Sequence, residues 1–366
     1  MEVKINKRWV EENDLEYILV QAKDEFEILS GKNLLLTGAG GFLGYYFIKS
    51  VLSWNDTYPK KAVHITGLDN FRGGIPPWFT KLRKRTDFKP IKHDVTNHKI
   101  SQKEAFDYII HAASIASPKF YRMYPIETIN ANVQGLQRIL DYMLKRKKSS
   151  RPVRNLLNFS SSEIYGDPTA GNIPTPEDYR GNVSCTGPRA CYDETKRFCE
   201  TLCVNYARVY GLPIASARPF NNYGPGMKIT DGRVIADFSK SIVEGHNIIM
   251  FSDGNPIRTF CYVADAIIGY FKILIKGESG QAYNIGVDKP EISIKDLALK
   301  MIEIAKINFN YKGKLVKKLS ADSEYLTDNP QRRCPDISNA RTKLGYNPAV
   351  SLDKGLLKTL AWYINT

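Results

Sequence analysis

A tyrosine and a lysine four residues apart, Tyr192 and Lys196, open a segment whose apolar and small residues fall at 199, 202, 203, 206 and 209. That is a helical period, stopped by Gly211, so the two polar side chains share one helix face. A lysine held beside a phenol lowers the phenol's pKa, and Tyr192 is then expected to act as a base near neutral pH. Upstream, an apolar strand pattern ends Asn158-Phe159-Ser160-Ser161-Ser162-Glu163. A Ser161 hydroxyl at that strand end can complete a proton relay between the phenol and an alcohol undergoing oxidation. Tyr-x-x-x-Lys alone arises often by chance, so its weight depends on its surroundings.

Those surroundings include a site for an oxidant. The strand NLLLT runs into Gly38-Ala39-Gly40-Gly41-Phe42-Leu43-Gly44 and then into the apolar-rich YYFIKSVL. Strand, glycine turn and helix in that order make a dinucleotide motif meaningful. Gly38 and Gly41 let backbone approach a pyrophosphate, the helix start at Phe42 and Leu43 favours its charge, and Gly44 permits close helix–strand packing. The second strand, VHITGL, ends at Asp69-Asn70, where a carboxylate accepts hydrogen bonds from an adenosine ribose and disfavours a 2′-phosphate. NAD is the expected cofactor. Asp94 and Val95 follow a third short strand and are placed at the adenine edge. Ala113 and Ser114 close a fourth strand with small residues under the cofactor, and Asn132 is counted with the same contacts. His111, at that strand end, reads as a hydrogen-bonded structural histidine rather than a catalytic one.

Positioning these residues takes alternating short apolar runs and longer amphipathic ones, the pattern of a parallel sheet built from βαβ units. Strands are expected at Asn33–Thr37, Val63–Leu68, Tyr108–His111, Asn155–Ser160 and Ile214–Arg218, with helices after Pro125 through Ile139 and over Tyr192–Tyr210. The fold class is α/β: a Rossmann-type doubly wound parallel sheet with a smaller, mixed α/β C-terminal lobe for the substrate. The expected division is a helical extension over 1–30, the dinucleotide domain over 31–223 and the substrate lobe over 224–366.

Composition narrows the rest. The chain has 366 residues, 43% hydrophobic and 25% charged, which suits a folded globular protein and not a disordered one. No apolar run approaches the roughly 18 residues that cross a bilayer, and the N-terminus lacks a signal-peptide core. A net charge of +14 raises the question of nucleic acid. The densest basic runs, at Lys81–Arg85 and Lys145–Lys148, carry no interleaved aromatics and read as solvated helix ends. The six cysteines form no CxxC pair and have no histidine at zinc-ligand spacing, so no metal is expected and the compartment is read as the reducing cytoplasm.

Taken together, these motifs resemble the extended short-chain dehydrogenase/reductase superfamily of nucleotide-sugar enzymes, from about Lys32 to the C-terminus. Within it the chain is most similar to the UDP-glucuronate decarboxylases, or UDP-xylose synthases. The matching stretches are HAASIASPKFY from His111, SSEIYGDP from Ser161 and GNVxxxGPRACYDExKR from Gly181. Further on come FNxYGP from Phe220, DGRV from Asp231, RTFCYVxD from Arg258 and RRCPDI from Arg332. The resemblance implies oxidation of a sugar C4 hydroxyl by bound NAD with Tyr192 as base, loss of carbon dioxide from the 4-keto acid, and return of the hydride. It implies Ser161 as relay, Glu163 over the ring at C5 and Arg258 beside the departing carboxylate. Ser162, Tyr121, Arg189, Asn221, Arg233 and Arg332 or Arg333 are the implied contacts to the nucleotide sugar, and a homodimer paired through the two helices is the implied assembly. The family commonly has Gly where this chain has Thr195, and Arg at Gly226, read as a lost charge near the sugar end. A 4-epimerase, a 4,6-dehydratase and a non-catalytic NAD-binding scaffold are the competing readings. Against the dehydratase, Ser162-Glu163 replaces the Asp-Glu that would supply its acid. Against the epimerase, a carboxylate at position 163 would have no task.

Overall fold

Leu34, Leu35 and Leu36 are all buried, as are Tyr108 to His111 and Asn155 to Phe159. Strands with no exposed face belong in a parallel sheet covered by helices on both sides. The computed structural model, which describes residues 5–320, 322, 324 and 326–364, has that sheet. Its first six strands are β1 (Asn33–Thr37), β2 (His64–Asp69), β3 (Phe88–Lys92), β4 (Tyr108–His111), β5 (Asn155–Phe159) and β6 (Ile214–Pro219). The short strands β7 (Asn222–Tyr223), β8 (Ile248–Met250), β9 (Ile257–Arg258) and β10 (Cys261–Tyr262) follow, and then β11 (Ala282–Ile285) returns to the main sheet. The order is β11-β6-β5-β4-β1-β2-β3, with every pairing parallel. With β12 (Ile292–Ser293), β13 (Leu315–Lys317) and β14 (Arg332–Arg333), the short strands form three small sheets: β7 with β10, β8 with β13, and β12-β9-β14. The strands expected from sequence are present to within a residue at each end.

Twelve helices surround the sheet among the described residues: α1 (Lys7–Gln21), α2 (Lys23–Leu29), α3 (Phe42–Thr57), α4 (Pro77–Lys81), α5 (Pro118–Met123) and α6 (Pro125–Arg146), then α7 (Ala190–Tyr210), α8 (Val234–Val243), α9 (Val263–Lys276), α10 (Ile294–Phe309), α11 (Ser338–Leu344) and α12 (Leu352–Ile364). Alternation along β1 sends Leu35 to one face, with Leu136 and Ile139 of α6 and Cys199 and Cys203 of α7. Leu34 and Leu36 point to the other, with Phe47 of α3 and Phe271 of α9. Helix α6 runs two turns beyond the expected Ile139, so Lys145 and Arg146 fall in its last turn, where basic side chains oppose the helix dipole.

Helix α1 packs on α3, α9 and α12, burying Val10 and Ile18 and also a carboxylate, Asp14. Asp14 accepts hydrogen bonds from Tyr46 of α3, Tyr262 of β10 and Lys358 of α12. Residues 1–4 of the N-terminal segment lie outside the described residues. Among the described residues no helix is long and apolar enough to cross a membrane.

Candidate active site

The carboxyl ends of β1, β2, β4 and β5 open into a cavity of about 1730 Å³. Pockets for one small ligand usually measure roughly 300–1,000 Å³, so this one has room for a dinucleotide and a second ligand. Gly38, φ +72°, makes the turn out of β1; a Cβ there would stand 2.8 Å from the Ala112 carbonyl at the end of β4. Gly44 lies in the first turn of α3, where a Cβ would come 2.5 Å from the Ala39 oxygen. No side chain caps α3, and Gly41, Phe42 and Leu43 line the cavity, leaving the positive helix end to an anion. Asp69 lines it too. Its carboxylate accepts from the amides of Gly40 (2.9 Å) and Phe71 (2.7 Å), which ties the glycine turn to the loop after β2. Burial raises the Asp69 pKa, opposed by those two amides and by Lys228. An uncapped helix start and a buried acid at the second strand end fit NAD.

Asn70, Asp94, Val95, Ala113 and Ser114 all line the same cavity. Asp94 is tied to Thr96 and to Asn70. Asn132 does not line it. It stands behind Ser114, accepting from the Ser114 hydroxyl (2.7 Å) and donating to Thr195 (2.8 Å). Thr195, where the family commonly has Gly, thus anchors the residue that orients Ser114. His111 pairs with the Thr37 hydroxyl at 2.8 Å, and burial presses its pKa down to about 3, so it is a neutral structural histidine.

Ser161 and Tyr192 stand together in the cavity wall, and Ser161 draws the phenol's pKa down. The Ser161 hydroxyl also accepts from the Glu163 amide at 3.2 Å, capping a short turn over Ser162–Tyr165. Lys196 shares the cavity wall with Tyr192. Its ammonium donates to the Phe159 carbonyl (2.7 Å) and lies 5.6 Å over the Tyr192 ring, and burial presses it down to about 8. The Tyr192 phenol is pushed up by burial and by Glu163 and Asp193, against the pull of Ser161 and Arg233. In the protein alone burial thus favours the protonated phenol, and positive charge brought beside it would strengthen it as a base. Tyr121 does not reach the cavity; it stacks flat on Tyr192 with centroids 4.9 Å apart.

Beyond the tyrosine lies a cluster of arginines. Glu163 is held by Arg333, through bonds of 2.7 and 2.6 Å, and by Arg189. Burial would raise its pKa, but the two guanidinium groups hold it well below the ordinary carboxylate range. A carboxylate held so low carries no proton near neutral pH, so Glu163 is a fixed anion here. Arg258 lines the wall nearby and, among the described residues, donates only to neutral acceptors: the carbonyls of Ile257, Gln331 and Pro330 and the side chain of Asn329. Burial and the charge of Arg333 press it down to about 9, so it stays cationic at neutral pH. Of the paired candidates, Arg333 faces the cavity while Arg332 points away to Glu291 (2.6 Å), because successive residues of β14 face opposite sides. Ser162, Asn221 and Arg233 line the cavity, with Asn221 bonded to the Thr259 carbonyl and Arg233 to Asp231. Gly226 lines the cavity and packs on Tyr45 of α3.

Two residues the sequence did not single out complete the site. Lys228 reaches from the loop after β7 to the Gly73 carbonyl (2.6 Å) after β2, closing over the Asp69 end. Asp193 lies buried between Tyr192 and Arg189, 3.5 Å from the Arg189 Nε. No spacing rule marks Lys228; Asp193 adjoins the tyrosine, and only its burial marks it.

A parallel sheet with this strand order, a glycine turn at its first strand and a Tyr–Lys helix beside it are the marks of a dinucleotide-dependent enzyme. The chain belongs to the NAD dependent epimerase/dehydratase family, whose pattern matches residues 34–286, and NAD is its cofactor. It is 35% identical over 327 residues to UDP-glucuronic acid decarboxylase 5 of Arabidopsis thaliana, covering 89% of this chain and 88% of that protein. UDP-glucuronic acid decarboxylase 1 of Xenopus tropicalis is 33% identical over 338 residues, 91% of this chain and 72% of that one. Among solved structures, UDP-glucuronic acid 4-epimerase from Bacillus cereus, in complex with UDP-glucuronic acid and NAD, is similar with a TM-score of 0.72 and 25% identity. That likeness covers 90% of this chain and 98% of the epimerase.

Proposed function

We propose that this chain converts a UDP-linked uronic acid, UDP-glucuronate, to UDP-xylose. The observation that carries this reading is Arg258, a buried cation in the cavity wall with no carboxylate paired to it among the described residues. A buried charge left without a counterion is costly, and a substrate carboxylate would supply one. The relatives named above as decarboxylases, and the epimerase crystallised with UDP-glucuronic acid, support that choice of acid. NAD, held by the glycine turn, the start of α3 and Asp69, would take up the C4 hydride and give it back, and its cationic ring would add positive charge near Tyr192. Ser161 and Tyr192 take the C4 hydroxyl proton as the ketone forms. The ketone stands β to the C6 carboxylate, so carbon dioxide leaves with its bonding electrons passing into the C4–C5 enolate. A proton from solvent water at C5, and hydride return at C4 with the proton held by Tyr192 and Ser161 going back to the C4 oxygen, then give the pentose. Glu163, anionic throughout, holds Arg189 and Arg333 against the sugar, and Lys196 braces the end of β5 under Ser161. In this reading residues 31–223 hold NAD and residues 224–366 cover the sugar and nucleotide, with Asn221, Arg233 and Arg333 as contacts.

The test is incubation of the purified chain with UDP-glucuronate, with products followed by mass spectrometry. Loss of carbon dioxide is expected, and two hydrogens separate a pentose from a released keto pentose. An unchanged mass with an altered sugar would favour a 4-epimerase and sink the decarboxylase reading. The exposed apolar side chains Ile126 on α6, and Phe198 and Val204 on α7, support a homodimer joined through these helices. A monomer mass by light scattering at micromolar concentration would count against it. The six free thiols suit a cytoplasmic compartment.

A further inference from the structure

Two buried carboxylates compete for one pair of arginines beside Tyr192. Glu163 takes three guanidinium hydrogen bonds, two from Arg333 and one from Arg189. Asp193 is left with a 3.5 Å approach to the Arg189 Nε, and neither that nitrogen nor the Asp193 Oδ1 has a hydrogen-bond partner. The Asp193 side chain is only 6% exposed, so solvent does not make up the difference. A buried carboxylate with so few donors holds a proton. Burial and the charge of Glu163 push Asp193 up to about 8, against the pull of Arg189 and Arg333. The other titratable groups facing it are Tyr121 of α5, whose hydroxyl is likewise without a partner, and Cys191 and Tyr192 on its own helix.

The protonation of Asp193 decides the charge of the cluster. With Asp193 neutral, Arg189, Arg333 and Glu163 carry one uncompensated positive charge beside Arg258. With Asp193 ionised that charge is cancelled. We propose that Asp193 is a positioning residue which, by holding or releasing its proton, sets how much positive charge Arg189 and Arg333 offer to an acidic group of the substrate. Asp193 does not line the cavity; it acts through Arg189, which does. The inference rests on the reading that the substrate brings a carboxylate to the arginine end. Carboxylate binding is then strong at low pH and weakens as pH rises through the Asp193 pKa, since the proton and the ligand stabilise the same charge state.

The NADH-loaded full chain, which has no oxidant for the sugar and so binds without turnover, can be titrated calorimetrically with UDP-glucuronate and UDP-glucose from about pH 6.5 to 9.5. Lys196 titrates over the same range but acts on both sugars alike, so the ratio of the two affinities isolates the carboxylate. The preference for glucuronate should fall with rising pH, by about 5–150-fold between its limits. Asp193→Asn should keep the preference and lose its pH dependence. With the unaltered protein, titrations in buffers of different ionisation heat should show proton uptake near pH 8 with UDP-glucuronate and none with UDP-glucose. A preference that ignores pH without proton uptake, or one that falls equally in Asp193→Asn, overturns the proposal. A chain that binds glucuronate no better than glucose at about pH 6.5 removes the functional reading and this inference with it.

Discussion

Lys358→Met should cost the fold about 4 kcal/mol near pH 7, and progressively less as the solution is made acid. Lys358 donates to Asp14 (2.7 Å) and Asn13 (2.5 Å), and the side chains of the ion pair are only 4% and 0% exposed. Asp14 keeps two further donors, Tyr46 (2.8 Å) and Tyr262 (2.6 Å). Burial already holds its pKa above the ordinary value, with Lys358 the main opposing pull. Without the ammonium the carboxylate has two routes. It can stay charged, at about 3–5 kcal/mol for a broken buried pair. It can instead take a proton, at about 1.4 kcal/mol for each pH unit above the ordinary Asp value near 3.9, or roughly 4 kcal/mol near pH 7. Only the second route depends on pH. A carboxyl group whose folded pKa exceeds its unfolded one adds stability at low pH that is lost as pH rises through the folded value. Urea unfolding of the variant and parent should therefore show a difference that shrinks by about 2 kcal/mol between pH 7 and pH 5. Asp14→Asn combined with Lys358→Met should recover most of the loss, since the amide oxygen still accepts from the tyrosine hydroxyls and no charge is left buried. A penalty below about 1 kcal/mol, or one that acid leaves unchanged, refutes the reasoning.

Other variants probe the cavity. Tyr192→Phe should lower turnover by about 10²–10⁴-fold and abolish the NADH absorbance that appears when substrate is added, with NAD still bound. Gly44→Ala places a methyl 2.5 Å from the Ala39 oxygen and should cost about 1–3 kcal/mol, read as a lower unfolding temperature and weaker NAD binding. Asp69→Ala should narrow the preference for NAD over NADP, measured as the ratio of dissociation constants, because the acid beside the ribose is gone. It should also loosen the loop whose Gly40 and Phe71 amides it binds.

The strands and the glycine turn were legible because their signals are local. A run such as Leu34-Leu35-Leu36 is stable only where both faces are covered, and a turn as tight as that at Gly38 excludes a Cβ whatever lies further along the chain. The spacing of Tyr192 and Lys196 likewise follows from helix geometry alone, and both do line one cavity. The chemistry of that pair was not legible. The phenol's pKa depends on burial and on Glu163 and Arg233, brought from other parts of the chain. Lys196 is turned to a carbonyl of β5 that its own helix does not announce.

The arginines show the same division. Sequence alone determined that Arg332 and Arg333 stand together in a matched motif; the pairing of β14 with β9 decided that Arg333 meets Glu163 and Arg332 does not. The residue types and short spacings determined the fold class, the cofactor and the candidate acids and bases. Which carboxylate keeps its charge, which cation is left without a counterion and how Asp14 links α1, α3, β10 and α12 were decided by tertiary structure. Burial and Coulomb interactions act between groups that touch in space, and here those groups lie in widely separated parts of the chain.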